Sequence, residues 1–173
     1  MAQQLIFVLE TNRKCNSDWL YIKEAIEHFY SIENVKLSPV YLDGKTKYTR
    51  KEKTIRDLAS RFQKAESTRK NVTHTLFCFD TDSIFTKTED RNFFEKAQKY
   101  CKEHDYEMVW FCTDIETVFS GNPVDQNNKK REAVSFKTHQ KIHQVSPEIL
   151  SRDHIQYRSS NLLSVLDHYL RRK

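Results

Sequence analysis

The run LIFVL, Leu5 to Leu9, is built of branched and aromatic residues and stops at the polar patch ETNRKCNSD. That is the pattern of a buried strand and its following loop, with Glu10 at the strand's C-terminal tip. Trp19, Ile22, Ile26, Phe29 and Tyr30 then recur at three-to-four spacing, with Asn16 or Ser17 placed to cap and Asp18 in the first turn, which predicts an amphipathic helix. Val35 to Leu42 alternates as a second strand. Its Pro39 predicts an edge or bulged strand, and Asp43-Gly44 a turn after it. Ile55, Leu58, Ala59 and Phe62 mark a second helix whose other face is basic, from Arg50 and Lys53 through Arg61 and Lys64. A third strand, Thr75 to Phe79, leads into DTDS, and Phe93, Phe94, Ala97, Tyr100 and Cys101 share a face of a third helix. Glu107 to Cys112 reads as a fourth strand ending in TDIETVFSG, after which GNPVDQNNKKR has the composition of a surface loop. Beyond Arg131 the spacing of Ala133, Phe136 and Ile142 predicts one helix. That of Leu162, Leu163, Leu166 and Leu170 predicts another, capped near Ser160 or Asn161.

Strands alternating with helices predict an α/β fold: a mostly parallel, Rossmann-like sheet with helices on both faces. A chain of 173 residues is long enough for one domain with a real core. We expect a single domain over 1–173, with its core at about 4–121 and a helical closure at 122–173. Right-handed crossovers bring the C-terminal ends of all parallel strands to one edge, where open α/β sheets bind ligands. Glu10, Asp43, Asp80, Asp82, Asp114 and Glu116 would gather on that rim. The chain has only two glycines, Gly44 and Gly121, and neither follows the first strand, which excludes the usual Gly-rich nucleotide loops.

Composition narrows the class. With 38% hydrophobic and 12% aromatic residues against 31% charged, the chain should fold rather than stay disordered. No apolar run approaches the roughly 20 residues that span a bilayer, and MAQQLIFVLE lacks a basic leader and cleavage site, so the expectation is a cytoplasmic protein without membrane contact. Cys15, Cys78, Cys101 and Cys112 form no CxxC pair and read as free thiols. The net charge of +5 conceals a segregation: Gly44 to Lys70 carries ten Lys/Arg against three acids, and Asn71 to Asn128 five against eleven. A basic band beside an acidic cluster suits a protein that holds a polyanion and concentrates divalent cations at one point; solvated helix faces also collect Lys and Arg.

Asp80 and Asp82 form a DxD just after an apolar strand, and on an extended backbone alternate side chains point the same way. Magnesium takes oxygen ligands, keeps several waters and sits on one or two carboxylates plus substrate phosphate, so the spacing fits that ion. His139 and His143 lie four apart but no Glu accompanies them in an HExxH arrangement. Trp19 and Trp110 fall at core-facing positions, whereas Tyr48 is a candidate for stacking on a base.

The strand-ending Glu of LIFVLE followed by the strand-ending DxD of LFCFDTDS resembles the Toprim fold, and with TDIETVF as a later aromatic-and-Glu segment the chain is most similar to the RloB-like proteins, over about Gln4 to Gly121. The resemblance implies a magnesium- or manganese-dependent nuclease acting on RNA or DNA, in microbial defence or nucleic-acid processing, with a possible partner subunit of a defence system. It implies Glu10 as general acid or base and Asp80 and Asp82 as metal ligands, with Asp114 and Glu116 supporting a second metal. Many Toprim proteins carry Gly just after the catalytic Glu, where this chain has Thr11, Asn12, Arg13 and Lys14. Arg13 and Lys14, with Arg50, Lys51 and Lys53 and the loop residues Lys129, Lys130 and Arg131, would guide the phosphate backbone. Two alternatives stay open at this level: a non-catalytic module binding nucleic acid or protein, and a metal-dependent enzyme on a phosphorylated metabolite or nucleotide.

Overall fold

The apolar run at the start of the chain becomes β1 (Gln3–Leu9), and helix α1 (Ser17–Phe29) follows it. The two-residue strand β2 (Tyr30–Ser31), the strand β3 (Val35–Tyr41), a 3-10 segment at Lys45–Lys51 and helix α2 (Glu52–Lys64) come next. β4 (Val72–Asp80), α3 (Thr88–Glu103), β5 (Glu107–Cys112) and the short α4 (Ile115–Ser120) complete the alternating part. Beyond it lie α5 (Lys129–Thr138), α6 (Pro147–Leu150), β6 (Ser159–Ser160), α7 (Leu162–Leu166) and β7 (Arg171–Arg172). The computed structural model describes residues 2–65 and 71–173; Arg69 and Lys70, the last cations of the basic band, lie outside the described residues.

The main sheet has the order β3-β1-β4-β5-β6. Its first four strands are parallel and β6 runs antiparallel to β5, while β2 and β7 form a separate antiparallel pair. Parallel strands covered on both faces should be apolar at every position, not at alternate ones, and β1 obeys this. Leu5, Phe7 and Leu9 enter the core cluster that also holds Tyr21, Ile22, Ile26, Phe119 and Phe136. Ile6 and Val8 enter the opposite cluster with Ile55, Ala97 and Cys101. Helices α1, α4, α5 and α7 therefore cover one face and α2 and α3 the other, as the alternating pattern predicts. Trp110 lies buried and Trp19 packs against the core. Tyr48 is half-buried, edge-on to Phe79, Phe93 and Tyr100 with ring centroids 6.1, 5.8 and 5.1 Å away, so packing rather than base stacking accounts for it.

Register is pinned by one polar side chain at the far end of the sheet. Buried Gln4 on β1 donates to Ser38 Oγ on β3 at 2.9 Å and accepts from Thr73 Oγ1 on β4 at 3.2 Å. A one-residue slip of either neighbour would leave a buried amide unpaired. Pro39 sits opposite Phe7 in an unbroken β3, which is the edge strand that Pro permits.

Two readings of the C-terminal third need correction. Ile142 does not continue α5, because Gln140 takes φ 50° and the chain restarts as a 3-10 turn at Lys141–Gln144. Leu170 lies beyond α7, and the closure is not wholly helical, since β6 extends the main sheet and β7 pairs with β2. Among the described residues, no helix is long and apolar enough to cross a membrane. The closure is tied to the first helix layer by Tyr30, whose hydroxyl lies 2.8 Å from Asp167 Oδ1 and 3.0 Å from Leu163 O, with the Arg172 guanidinium 4.8 Å from its ring centroid. Both acceptors keep another donor, Asp167 from Arg172 and Leu163 O from the Asp167 N–H, so we expect Tyr30→Phe to lose about 0.5–1.5 kcal/mol of stability. Urea unfolding checks this, and an unchanged midpoint would mean that the tie contributes nothing.

Candidate functional site

At the C-terminal edge of the sheet, β1 hands its backbone directly to the site. Glu10 follows β1, and its Oε1 accepts the backbone N–H of Asp80, the last residue of β4, at 2.8 Å. Asp80 Oδ1 in turn accepts the N–H of Ile115 at the start of α4, at 2.9 Å. Each carboxyl thus uses one oxygen to fasten the neighbouring strand or helix, and neither second oxygen, Glu10 Oε2 or Asp80 Oδ2, has a hydrogen-bond partner among the described residues. The pair lines a cleft of about 320 Å³ together with Asn12, Asp18, Gln126 and Lys129.

Two further acids converge here from first turns of helices. Asp18, buried in the first turn of α1, accepts the Thr11 N–H at 3.4 Å and the Ser17 hydroxyl at 3.3 Å. Glu116, fully buried in the first turn of α4, meets Lys129 Nζ at 3.1 Å. That contact is an ion pair at a poor angle, because neither Glu116 oxygen has a well-directed hydrogen bond among the described residues. Tyr21 brings a buried hydroxyl that likewise has no partner among them.

Electrostatics follow from the crowding. Burial, reinforced by the Asp18 and Asp82 carboxylates, pushes Glu10 from 4.5 up to about 8 against the lowering effect of the Asp80 N–H and Lys45. Asp80 is driven well up by burial and by Glu10, Asp18 and Glu116. Burial also raises Asp18 and Glu116, with Lys129 working against it in both. For Lys129 burial alone would favour the neutral amine, but Glu116, Asp80 and Asp18 outweigh it and hold the ammonium above the ordinary lysine range. Four carboxyls therefore crowd two cations, Lys129 acting on Asp18, Asp80 and Glu116 and Lys45 on Glu10, and the protein holds some of them protonated near neutral pH.

The DxD does not act as a unit. β4 ends at Asp80, and Asp82 takes φ 48°, so the extended alternation expected to align the two aspartates stops between them. The Asp82 N–H donates to Thr113 O at 2.9 Å while its carboxylate pairs closely with Lys45. Lys45 also lies 3.6 Å from Asp90 and 4.9 Å from the Phe93 ring centroid. Asp114 is the N-cap of α4, its Oδ1 accepting from Thr117 N at 2.7 Å. Asp43 is exposed and 3.3 Å from Lys47, though it borders the cleft.

Of the cations expected to face nucleic acid, Lys129 is turned inward as the counter-charge of the cluster. Lys130 Nζ donates to Lys14 O at 2.7 Å, which brings α5 against the loop after β1, and Arg131 lies 3.7 Å from Glu132. Exposed Arg13 meets Lys51 in a shallow cleft beside Pro39, Tyr41 and Leu58. Arg50 and Lys53 are exposed with no acidic partner among the described residues. Lys130, Lys14, Arg13 and Lys51 thus follow one another beside the loop after β1, and none of them lines the acidic cleft itself.

Reading by strand tips alone missed Asp18 as a site residue and the inward role of Lys129. A signal for Asp18 existed: a helix that follows a parallel strand begins at the sheet's C-terminal edge, so an acid in its first turn belongs to the same rim. Among the described residues, no three His, Cys, Asp or Glu side chains converge closely enough to enclose a metal ion. The uncommitted oxygens of Glu10 and Asp80 instead fit a hydrated divalent cation held by one or two carboxylates. Comparison of the chain with protein-family models, with curated proteins and with solved structures finds no match.

The raised Glu10 carboxyl makes metal-free stability pH-dependent. Between 4.5 and about 8 the native state keeps a proton that the unfolded chain has released, so stability falls as pH rises through that window. We expect the metal-free parent to lose stability across it and Glu10→Gln, uncharged throughout, to lose measurably less. Chemical unfolding at both ends of the window checks this; equal slopes would remove Glu10 from the coupled cluster.

Proposed function

We propose that this protein is a magnesium- or manganese-dependent nuclease that acts on phosphodiester bonds of RNA or DNA, resembling Toprim proteins in its chemistry. One observation carries the reading: four carboxyls, two of them with an uncommitted oxygen, crowd Lys129 and Lys45 at the C-terminal edge of a parallel sheet. Such a cluster is short of positive charge, and the loop that lines its cleft at Asn12 and Cys15 also carries Arg13 and Lys14, with Lys130 against Lys14 and Lys51 sharing a second cleft with Arg13. A polyanion held near a divalent cation meets both needs.

Asp80, through its uncommitted oxygen, is the residue that would hold the ion, which would supply Lewis-acid stabilisation of the phosphoryl oxygens when bound. Glu10, with its proton affinity raised by burial, carries the proton between itself and the attacking or leaving oxygen. Lys129 offsets charge that builds on the cluster, and Asp18 and Glu116 hold Lys129 in place. Lys45 and the α4 cap occupy Asp82 and Asp114, which leaves both as positioning residues in this scheme. A second reading, a nucleic-acid-binding module without catalysis, is favoured by Lys129, whose ammonium already supplies a cation to the cluster.

A cleavage screen over RNA, single-stranded DNA and duplex DNA, with and without magnesium or manganese, separates the two. We expect metal-dependent cutting that Glu10→Gln lowers by about 10²–10⁴-fold and that Asp80→Asn also abolishes. Binding without cutting under every metal condition would establish the second reading instead.

Phosphate-directed binding is salt-dependent. Neutralising Arg50, Lys51 and Lys53 together should weaken binding to every sequence alike and reduce the log–log salt slope by up to about 0.9 for each duplex phosphate that is no longer neutralised. Binding measured from low to high salt tests it, and an unchanged slope would move the nucleic acid off this face.

A further inference from the structure

The segment joining α4 to α5 has two sides. Gln126 and Lys129 line the acidic cleft, whereas Asn122, Asp125 and Asn128 line a second cleft of about 490 Å³ that reaches Phe119, Phe136 and Arg158. A volume of that size lies within the roughly 300–1,000 Å³ of small-molecule sites, and nothing in the scheme above uses it.

The exposed Arg158 side chain lines this cleft with its guanidinium against Gly121. A Cβ on Gly121 would lie 2.9 Å from Arg158 Cζ and 3.0 and 3.1 Å from its two terminal nitrogens. Three nearly equal distances mean that the guanidinium lies flat over the Gly121 Cα, so its N–H edges run outward and stay free to donate. Gly121 has φ 81° at the end of α4, and Arg158 has φ 54° just before β6, so both backbones are set to bring them together. No carboxylate pairs with Arg158 among the described residues.

The remaining lining is of mixed polarity. Lys141 adds a second cation, Asn122, Asn128 and Gln144 add amides, and Asp125 and Glu132 add two carboxylates, above the buried rings of Phe119 and Phe136. A bare anion or a metal ion would call for donors of one kind. Amides and a carboxylate that pair with a base edge, beside a planar cation that pairs with phosphate, match a ligand that carries both groups. From this placement we infer that the second cleft is a nucleotide subsite, with Arg158 on the phosphate and the amide side chains on the base edge. The choice of a nucleotide over other ligands of mixed polarity rests on the nucleic-acid reading given above. Because the two clefts share the wall at 125–129, the occupant is either one unit of a strand that continues into the acidic cleft or a free nucleotide.

The test uses the full chain as Glu10→Gln in chelator, so that binding is read without cleavage. The four ribonucleoside 5′-monophosphates, the matching nucleosides and a short single-stranded oligonucleotide are titrated, with backbone amide shifts mapping where each one binds. At least one monophosphate should shift amides in 119–128 and bind tenfold or more tightly than its nucleoside. Arg158→Gln should remove that difference, and Arg158→Lys should restore part of it. An oligonucleotide that binds there more tightly and is displaced by the monophosphate identifies a strand subsite, and equal affinities identify a free-nucleotide site. Absence of shifts at 119–128 with every ligand, or an Arg158→Gln variant that binds as the parent does, overturns the inference. A protein that cuts but shows no such binding loses only the subsite, and one that binds but never cuts loses only the nuclease.

Discussion

Carboxyl groups held close together in a half-buried edge repel one another and lose hydration, and the ammonium that the fold places among Asp18, Asp80 and Glu116 is Lys129. That requirement fixes more than the cleft. Lys129 begins α5, so α5 must start at the sheet's C-terminal edge and pack back over α1. Tyr21 lies between Phe119 and Phe136 with ring centroids 5.3 and 5.0 Å away, which locks α4, α1 and α5 into one layer. The chain from 122 to 128 is thereby drawn across the rim, and both clefts owe a wall to it.

Such a cluster costs stability, since leaving Glu116 fully buried with no well-directed hydrogen bond is the opposite of what a stable core would choose. The cost is offset elsewhere, by strands buried on both faces and by Gln4 bridging three strands at the opposite end. A fold whose regular, well-satisfied half supports a crowded, poorly satisfied edge has the division expected of a functional site.

The rim also sorts its acids by what each is fastened to. Glu10 and Asp80 each give one oxygen to a neighbouring backbone N–H and keep the other open, which positions a group without neutralising it. Asp82 and Asp114 also commit one oxygen each, to Lys45 and to the N-terminus of α4, but neither of them lines the acidic cleft. Adjacent acids in the sequence therefore have unlike roles: a backbone that leaves the extended region at Asp82 sends its side chain to a different partner.

The layers and the ligand-binding edge were legible in the amino-acid pattern. Period-two and period-3.6 patterns are local, and they place Glu10, Asp80 and the acids after β5 at strand ends because a strand must stop where its apolar run stops. The edge strand β3 was legible from Pro39 for the same kind of reason. What the tertiary structure decided is which charges meet. Asp18 read as a helix-dipole residue, Lys129 as a surface cation and Arg158 as nothing at all, yet 111 residues separate the first two and they share one cleft. Ile142 and Leu170 fit helical spacing, but the chain turns at Gln140 and after Leu166 to bring β6 and β7 to their partners. Pairing between distant side chains depends on distance and desolvation in the folded state, and neither quantity is encoded in a local pattern.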